Sequence, residues 1–207
     1  MRIEQNSSIK DASIILTNLT DSRINNNVSV QSSGSGIFSG GGLNGVEISG
    51  NSLRDGAFTG INLRYLPGAY PVTTTNTNNL IQNNEVSGFG DGGIRIRDES
   101  NNNRIEDNRV SDNGGTDNGI SLEETTFNNL ITNNEAKDNR LFDCSDRTSG
   151  SGTAGTANTW TNNVGETQNR PGLCRGDDDD DDDDDDDKDK DKDKDKDKDK
   201  DKDKDKD

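Results

Sequence analysis

Ile81-Gln82-Asn83-Asn84 and, nine residues beyond its last Asn, Gly93-Ile94-Arg95-Ile96 are the two phrases whose recurrence decides the fold. The first is an apolar residue, two polar ones and an Asn. It recurs as Ile3…Asn6, Ile24…Asn27, Ile48…Asn51, Ile105…Asn108, Ile131…Asn134 and Trp160…Asn163. The second, a Gly followed by apolar-x-apolar, recurs at Gly36-Ile37-Phe38, Gly60-Ile61-Asn62-Leu63 and Gly119-Ile120-Ser121-Leu122. The interval from Asn to Gly is nine residues after Asn27, Asn51 and Asn84, and eleven after Asn108; from Gly to the next apolar start it is twelve after Gly36, Gly93 and Gly119. Adding the three residues from apolar start to Asn gives a unit of 24, one coil of a solenoid.

Strand residues alternate between faces, so Ile94 and Ile96 point together while Arg95 points away. Ile and Asn three apart cannot share one face of a single strand. A tight turn therefore intervenes, and Asn tolerates the left-handed backbone that such turns need. Stacked coils bring equivalent residues about 4.8 Å apart. Asn27, Asn51, Asn84, Asn108, Asn134 and Asn163 can then bond side chain to side chain along the stack, with a second ladder at Asn79, Asn103, Asn129 and Asn158. The Gly ahead of the second strand suits a position with positive φ. An α-solenoid fails because no apolar set recurs at helical spacing, and Leu is too sparse for leucine-rich repeats.

Composition agrees once the chain is divided. Overall it is 24% hydrophobic and 4% aromatic, with a net charge of −17. Residues 177–207 hold 21 Asp and 10 Lys, which leaves a net charge of only −6 for residues 1–176. The body, 1–176, is poor in apolar residues and rich in Asn and Gly, and can fold only if stacking neighbours bury those few. The expected organisation is an all-β, right-handed single-stranded parallel β-helix of about seven coils over 1–176, followed by a disordered Asp/Lys tail over 177–207. The run Asp177 to Asp187 could gather Ca²⁺ loosely but lacks the turn Gly and bidentate Glu of a selective loop.

The body resembles the right-handed β-helix repeat family, which includes pectate lyases, alginate epimerases, phage tailspikes and uncharacterised exported bacterial proteins. The end, with Asp143-Cys144-Ser145-Asp146 and Gly152-Thr153-Ala154-Gly155-Thr156-Ala157-Asn158-Thr159-Trp160, is similar to that of the exported bacterial members. That resemblance implies pairing of Cys144 with Cys174, tying the terminal segment across the open end of the stack. Free thiols are the alternative. Such motifs report fold rather than activity. A bridge implies an oxidising compartment, so an extracellular or surface location is expected, although Met1-Arg2-Ile3-Glu4 shows no export signal. The chain also opens directly inside a coil, which suggests further N-terminal coils of a longer protein.

Function is less legible. The chain has no His, which removes Ser-His and Cys-His nucleophiles and the commonest metal ligand. No stretch is apolar enough to span a membrane, and neither body nor tail is net positive, as nucleic-acid binding would favour. One coil stands out: 21 residues separate Gly60 from Ile81, nine more than elsewhere, and the insert around Arg64-Tyr65-Leu66-Pro67-Gly68-Ala69-Tyr70-Pro71 holds both tyrosines. If the second strands stack in register, Asn62 and Arg64 lie beside Arg95 and Arg97, then Ser121 and Glu123. Arg64, Arg95 and Arg97 beside Tyr65 and Tyr70 could receive an acidic polysaccharide, since Arg suits bidentate carboxylate contact. An ordinary solvated face with Arg97 paired to Glu123 fits as well. Catalysis would draw on Arg95, Arg97 and Glu123, among the carboxylates Asp91, Asp98, Glu99, Glu123 and Glu124, as in a lyase or hydrolase. The expectation is a non-enzymatic binding scaffold without a required cofactor or metal, and a polysaccharide lyase, hydrolase or epimerase-like enzyme is the alternative.

Overall fold

The computed structural model describes residues 1–6 and 9–176; the Asp/Lys run 177–207, with the tail and loose Ca²⁺ association expected of it, lies outside the described residues. The described chain is a parallel β-solenoid with three strands per coil. The first sheet stacks seven strands: Arg2–Glu4, Arg23–Asn25, Glu47–Ser49, Leu80–Gln82, Arg104–Glu106, Leu130–Thr132 and Thr159–Thr161. The second stacks six: Ile9–Lys10, Val28–Val30, Ser52–Arg54, Glu85–Ser87, Arg109–Ser111 and Glu135–Lys137. The third also stacks six: Ile14–Thr17, Ile37–Gly41, Thr59–Leu63, Gly92–Ile96, Ile120–Leu122 and Cys144–Asp146.

The register is the one the repeat requires. Ile24, Ile48, Ile81, Ile105, Ile131 and Trp160 align in the first sheet, and Ile37, Ile61, Ile94, Ile120 and Cys144 in the third. All are buried. No coil encloses a core alone; each inward residue is covered by its equivalents above and below.

The main Asn ladder runs unbroken. Nδ2 of Asn27, Asn51, Asn84, Asn108 and Asn134 each donates to Oδ1 of the next Asn at 2.9 Å, ending on Asn163. The same Nδ2 also donates to an Ile carbonyl in the preceding coil, as Asn108 does to Ile81 O at 2.9 Å. The second ladder links Asn79, Asn103, Asn129 and Asn158 in the same manner.

Two details of the turns differ from expectation. The left-handed residue is the one before each ladder Asn: Gln5, Asn26, Gly50, Asn83, Asp107, Asn133 and Asn162. The ladder Asn itself is not left-handed; it turns its amide inward to its neighbours. Likewise Gly36, Gly60, Gly93 and Gly119 do not have positive φ. They are Gly because there is no room for a Cβ. One on Gly60 would run into Val86 and sit 2.8 Å from Gly93 O, and one on Gly119 would sit 2.8 Å from Asp143 O.

The C-terminal end is closed by polar side chains as well as by a Cys144–Cys174 disulfide. Buried Asp146 accepts from Trp160 Nε1 at 2.8 Å and Asn158 Nδ2 at 3.1 Å through Oδ2, and from Thr148 Oγ1 at 2.6 Å through Oδ1. Buried Asp143 accepts from Asn139 Nδ2 and from Thr167 Oγ1, each at 2.9 Å. Among the described residues no helix is long and apolar enough to cross a membrane.

Candidate functional site

The outer surface of the third sheet carries the site. Because Ile61, Ile94 and Ile120 point inward, their successors Asn62, Arg95 and Ser121 point outward and stand side by side. Two residues further on, Arg64, Arg97 and Glu123 continue the same face.

The nine-residue insert folds back toward the N-terminal coils. Leu66 N donates to Gly40 O at 2.8 Å, and Asn18 Nδ2 donates to Pro71 O at 2.8 Å. Gly40-Gly41-Gly42 is its seat: a Cβ on Gly40 would fall 2.5 Å from the Tyr70 ring, and one on Gly41 2.9 Å from Tyr65. Tyr70 packs on Phe38 with ring centroids 5.8 Å apart and planes tilted by 43°. The fold-back leaves a cleft of about 320 Å³, lined by Ile15, Phe38, Phe58 and Tyr70 together with Arg64, Asp91, Arg95 and Arg97. Asn62 and Thr59 also line it. Of the residues singled out in the sequence, Asn62, Arg64, Tyr70, Arg95 and Arg97 thus line one cleft. Tyr65 is not among the lining residues; its ring rests against Gly41 and anchors the insert.

The arginines do not present free charge. Arg95 Nη1 lies 2.8 Å from Asp117 Oδ2 and 3.6 Å from Asp91 Oδ2, while its Nε donates to Glu123 Oε1 at 2.7 Å. Arg97 Nε is 3.4 Å from Asp98 and 3.5 Å from Glu123, and Arg64 Nε donates to Asp98 at 3.0 Å. The pairing of Arg97 with Glu123 across coils is therefore present, within a larger network. Glu99 and Glu124 are exposed. Burial, and then the neighbouring Arg95, push the Arg97 pKa below its ordinary value. Burial raises that of Asp117, with Arg95 opposing. Asp98 and Glu99 are consecutive left-handed residues, φ 53° and 59°, a conformation that costs an L-residue about 1–2 kcal/mol.

Polar groups without partners collect on this face. Among the described residues, eight side-chain N or O atoms are shut off from solvent without a hydrogen-bond partner, and six belong here: Thr59 Oγ1, Asn62 Oδ1, Arg97 Nε, Asp117 Oδ2, Asn118 Oδ1 and Ser121 Oγ. Asp117 Oδ2 is within ion-pair reach of Arg95, and Arg97 Nε of Asp98 and Glu123, but none of these contacts is a hydrogen bond. No group of three or more His, Cys, Asp or Glu among the described residues is placed to hold a metal ion.

Asp117 is the residue that reading the sequence missed. Its signal was the interval of eleven rather than nine between Asn108 and Gly119. The two extra residues widen the turn and carry Asp117 to Arg95.

A three-sided parallel solenoid with ladder Asn at its corners and a ligand-sized cleft on one face defines the class of protein. Residues 3–168 match the family model described as right handed beta helix region, and the chain belongs to that family. No curated protein and no solved structure matches it.

Proposed function

We propose that the chain is a non-enzymatic extracellular or cell-surface scaffold that binds a glycan in the cleft on the third sheet. The observation that carries this reading is the pairing, in one cleft, of an apolar and aromatic wall with buried polar atoms that lack partners. Sugar rings offer an apolar C–H face to stack on aromatic rings and a rim of hydroxyls to satisfy polar groups. The disulfide supports an oxidising location. Titration of the full chain against a broad glycan panel tests the reading. Binding that falls about tenfold or more in Tyr70→Ala supports it; equal binding by the variant, or none by the wild type, overturns it.

A polysaccharide-cleaving enzyme is the second reading, favoured by half-buried Arg97 lying 3.5 Å from half-buried Glu123 on this face. Its products would be new unsaturated or reducing ends, absent with Arg97→Ala. Against it stands the network itself: Asp91, Asp117 and Glu123 all engage Arg95, so the groups that would have to act are already occupied by one another.

A further inference from the structure

Resting on that reading, we infer that the cleft takes an uncharged sugar segment and discriminates against uronates, the opposite of what three neighbouring arginines suggest in the sequence. Charge is the first argument. Arg64, Arg95 and Arg97 face Asp91, Asp98, Asp117 and Glu123, three cations against four carboxylates, and each guanidinium already has a carboxylate within 4.0 Å. An incoming carboxylate would have to displace one of these partners and then stand among the rest. Placing like charges together in a partly desolvated site is a strong means of rejection.

Hydrogen-bonding capacity is the second argument. Asn62 Oδ1, on a side chain left 8% exposed, is an acceptor without a donor, and Thr59 Oγ1 beside it is unpaired. The carboxylate that a uronate carries in place of a neutral hexose's C6 hydroxyl offers only acceptors and cannot satisfy Asn62 Oδ1, which leaves that task to the ring hydroxyls alone. A sugar hydroxyl both donates and accepts, and so can serve either atom once the side chain turns toward the cleft that both residues line. Asn118 Oδ1 and Ser121 Oγ, two coils further along this face, are also without partners.

The apolar wall is the third. Ile15 and Phe58 are more than half exposed, and with Phe38 and Tyr70 they form a surface that a charged sugar would have to desolvate itself to reach. The arginine–carboxylate network then supplies the polar part of the lining and orients hydroxyls. It is not an ion trap.

The experiment compares neutral gluco-, manno- and galacto-oligosaccharides with oligogalacturonates and oligoalginates of equal length, each titrated into the full chain at low and at high ionic strength. The expected result is binding confined to neutral sugars and unchanged by salt, weakened about tenfold in Asn62→Ala and in Phe58→Ala and unaffected by Arg109→Ala on the second sheet. Phe58 is exposed, so its removal tests the wall without threatening the fold. Binding confined to uronates and lost as salt rises overturns the inference while leaving the glycan cleft intact. Absence of binding by both sets overturns the cleft as well.

Discussion

Asn108 gives Nδ2 to Asn134 Oδ1 and to Ile81 O, while its own Oδ1 accepts Nδ2 and the main-chain N of Asn84. Every polar capacity of the amide is used in a fully buried position. Asn108→Ala therefore strands two donors on Asn84, each worth about 1–3 kcal/mol when left unpaired. A loss of about 3 kcal/mol or more in urea unfolding is expected. Its neighbour in the turn behaves differently. Asn83 has φ 53°, so Asn83→Gly is expected to change stability by only a few tenths of a kcal/mol, whereas Asn83→Val costs about 1–2 kcal/mol. Asp117 adds a pH-dependent test. Burial lifts its carboxyl above the ordinary value of 3.8, with Arg95 pulling the other way. The folded chain thus keeps a proton that the unfolded chain has released, and stability from this group falls as pH rises through the folded pKa. The stability of wild type minus that of Asp117→Asn should be greatest near pH 3.8 and below, and decline toward neutrality. A flat difference would show that Arg95 cancels the effect of burial.

At the scale of strands and corners, small residues decide how closely coils stack. A Cβ on Gly60 meets Val86 and Gly93 O, whereas one on Gly68, in the insert, meets nothing within 4 Å. Gly60→Ala should destabilise by about 1–3 kcal/mol through overpacking, with Gly68→Ala close to wild type; thermal unfolding of the pair separates a packing cost from a general effect of replacing Gly. The same scale explains what the sequence made legible. The first and third sheets announce themselves because their inward residues are nearly always Ile or Leu at fixed distances from an Asn or a Gly. The second sheet does not. Its strands are two or three residues long, and the inward column changes from Ser29 to Leu53, Val86, Val110 and Ala136. One corner is hidden for a similar reason. Asn113 and Asn139 form a third short ladder, but the preceding coil puts Phe89 there, and its ring fills the space that Gly36, Gly56 and Gly60 leave open. The insert was visible as a length anomaly. Which tyrosine faces the cleft depended on Gly40-Gly41-Gly42 forming a seat, a contact between segments far apart in the chain.

Across the whole molecule, stability is a sum over neighbouring coils, and an end coil has one neighbour instead of two. The C-terminal end offsets that deficit with buried Asp143 and Asp146, the Trp160 side chain, and a disulfide across 30 residues. In the loop-entropy model such a bridge contributes about 3–4 kcal/mol. Its effect need not spread evenly. Removing it frees the segment after Thr161 but leaves the Ile and Asn columns of the central coils intact. Cys174→Ser is the cleaner variant, because buried Cys144 keeps its place after Ile120. Native-state hydrogen exchange should then show amides of Cys144–Asp146 and Thr159–Thr161 exchanging faster, with Leu80–Gln82 and Gly92–Ile96 keeping their protection. Equal loss of protection in all coils would mean that the solenoid unfolds as one unit, with the bridge stabilising every rung alike.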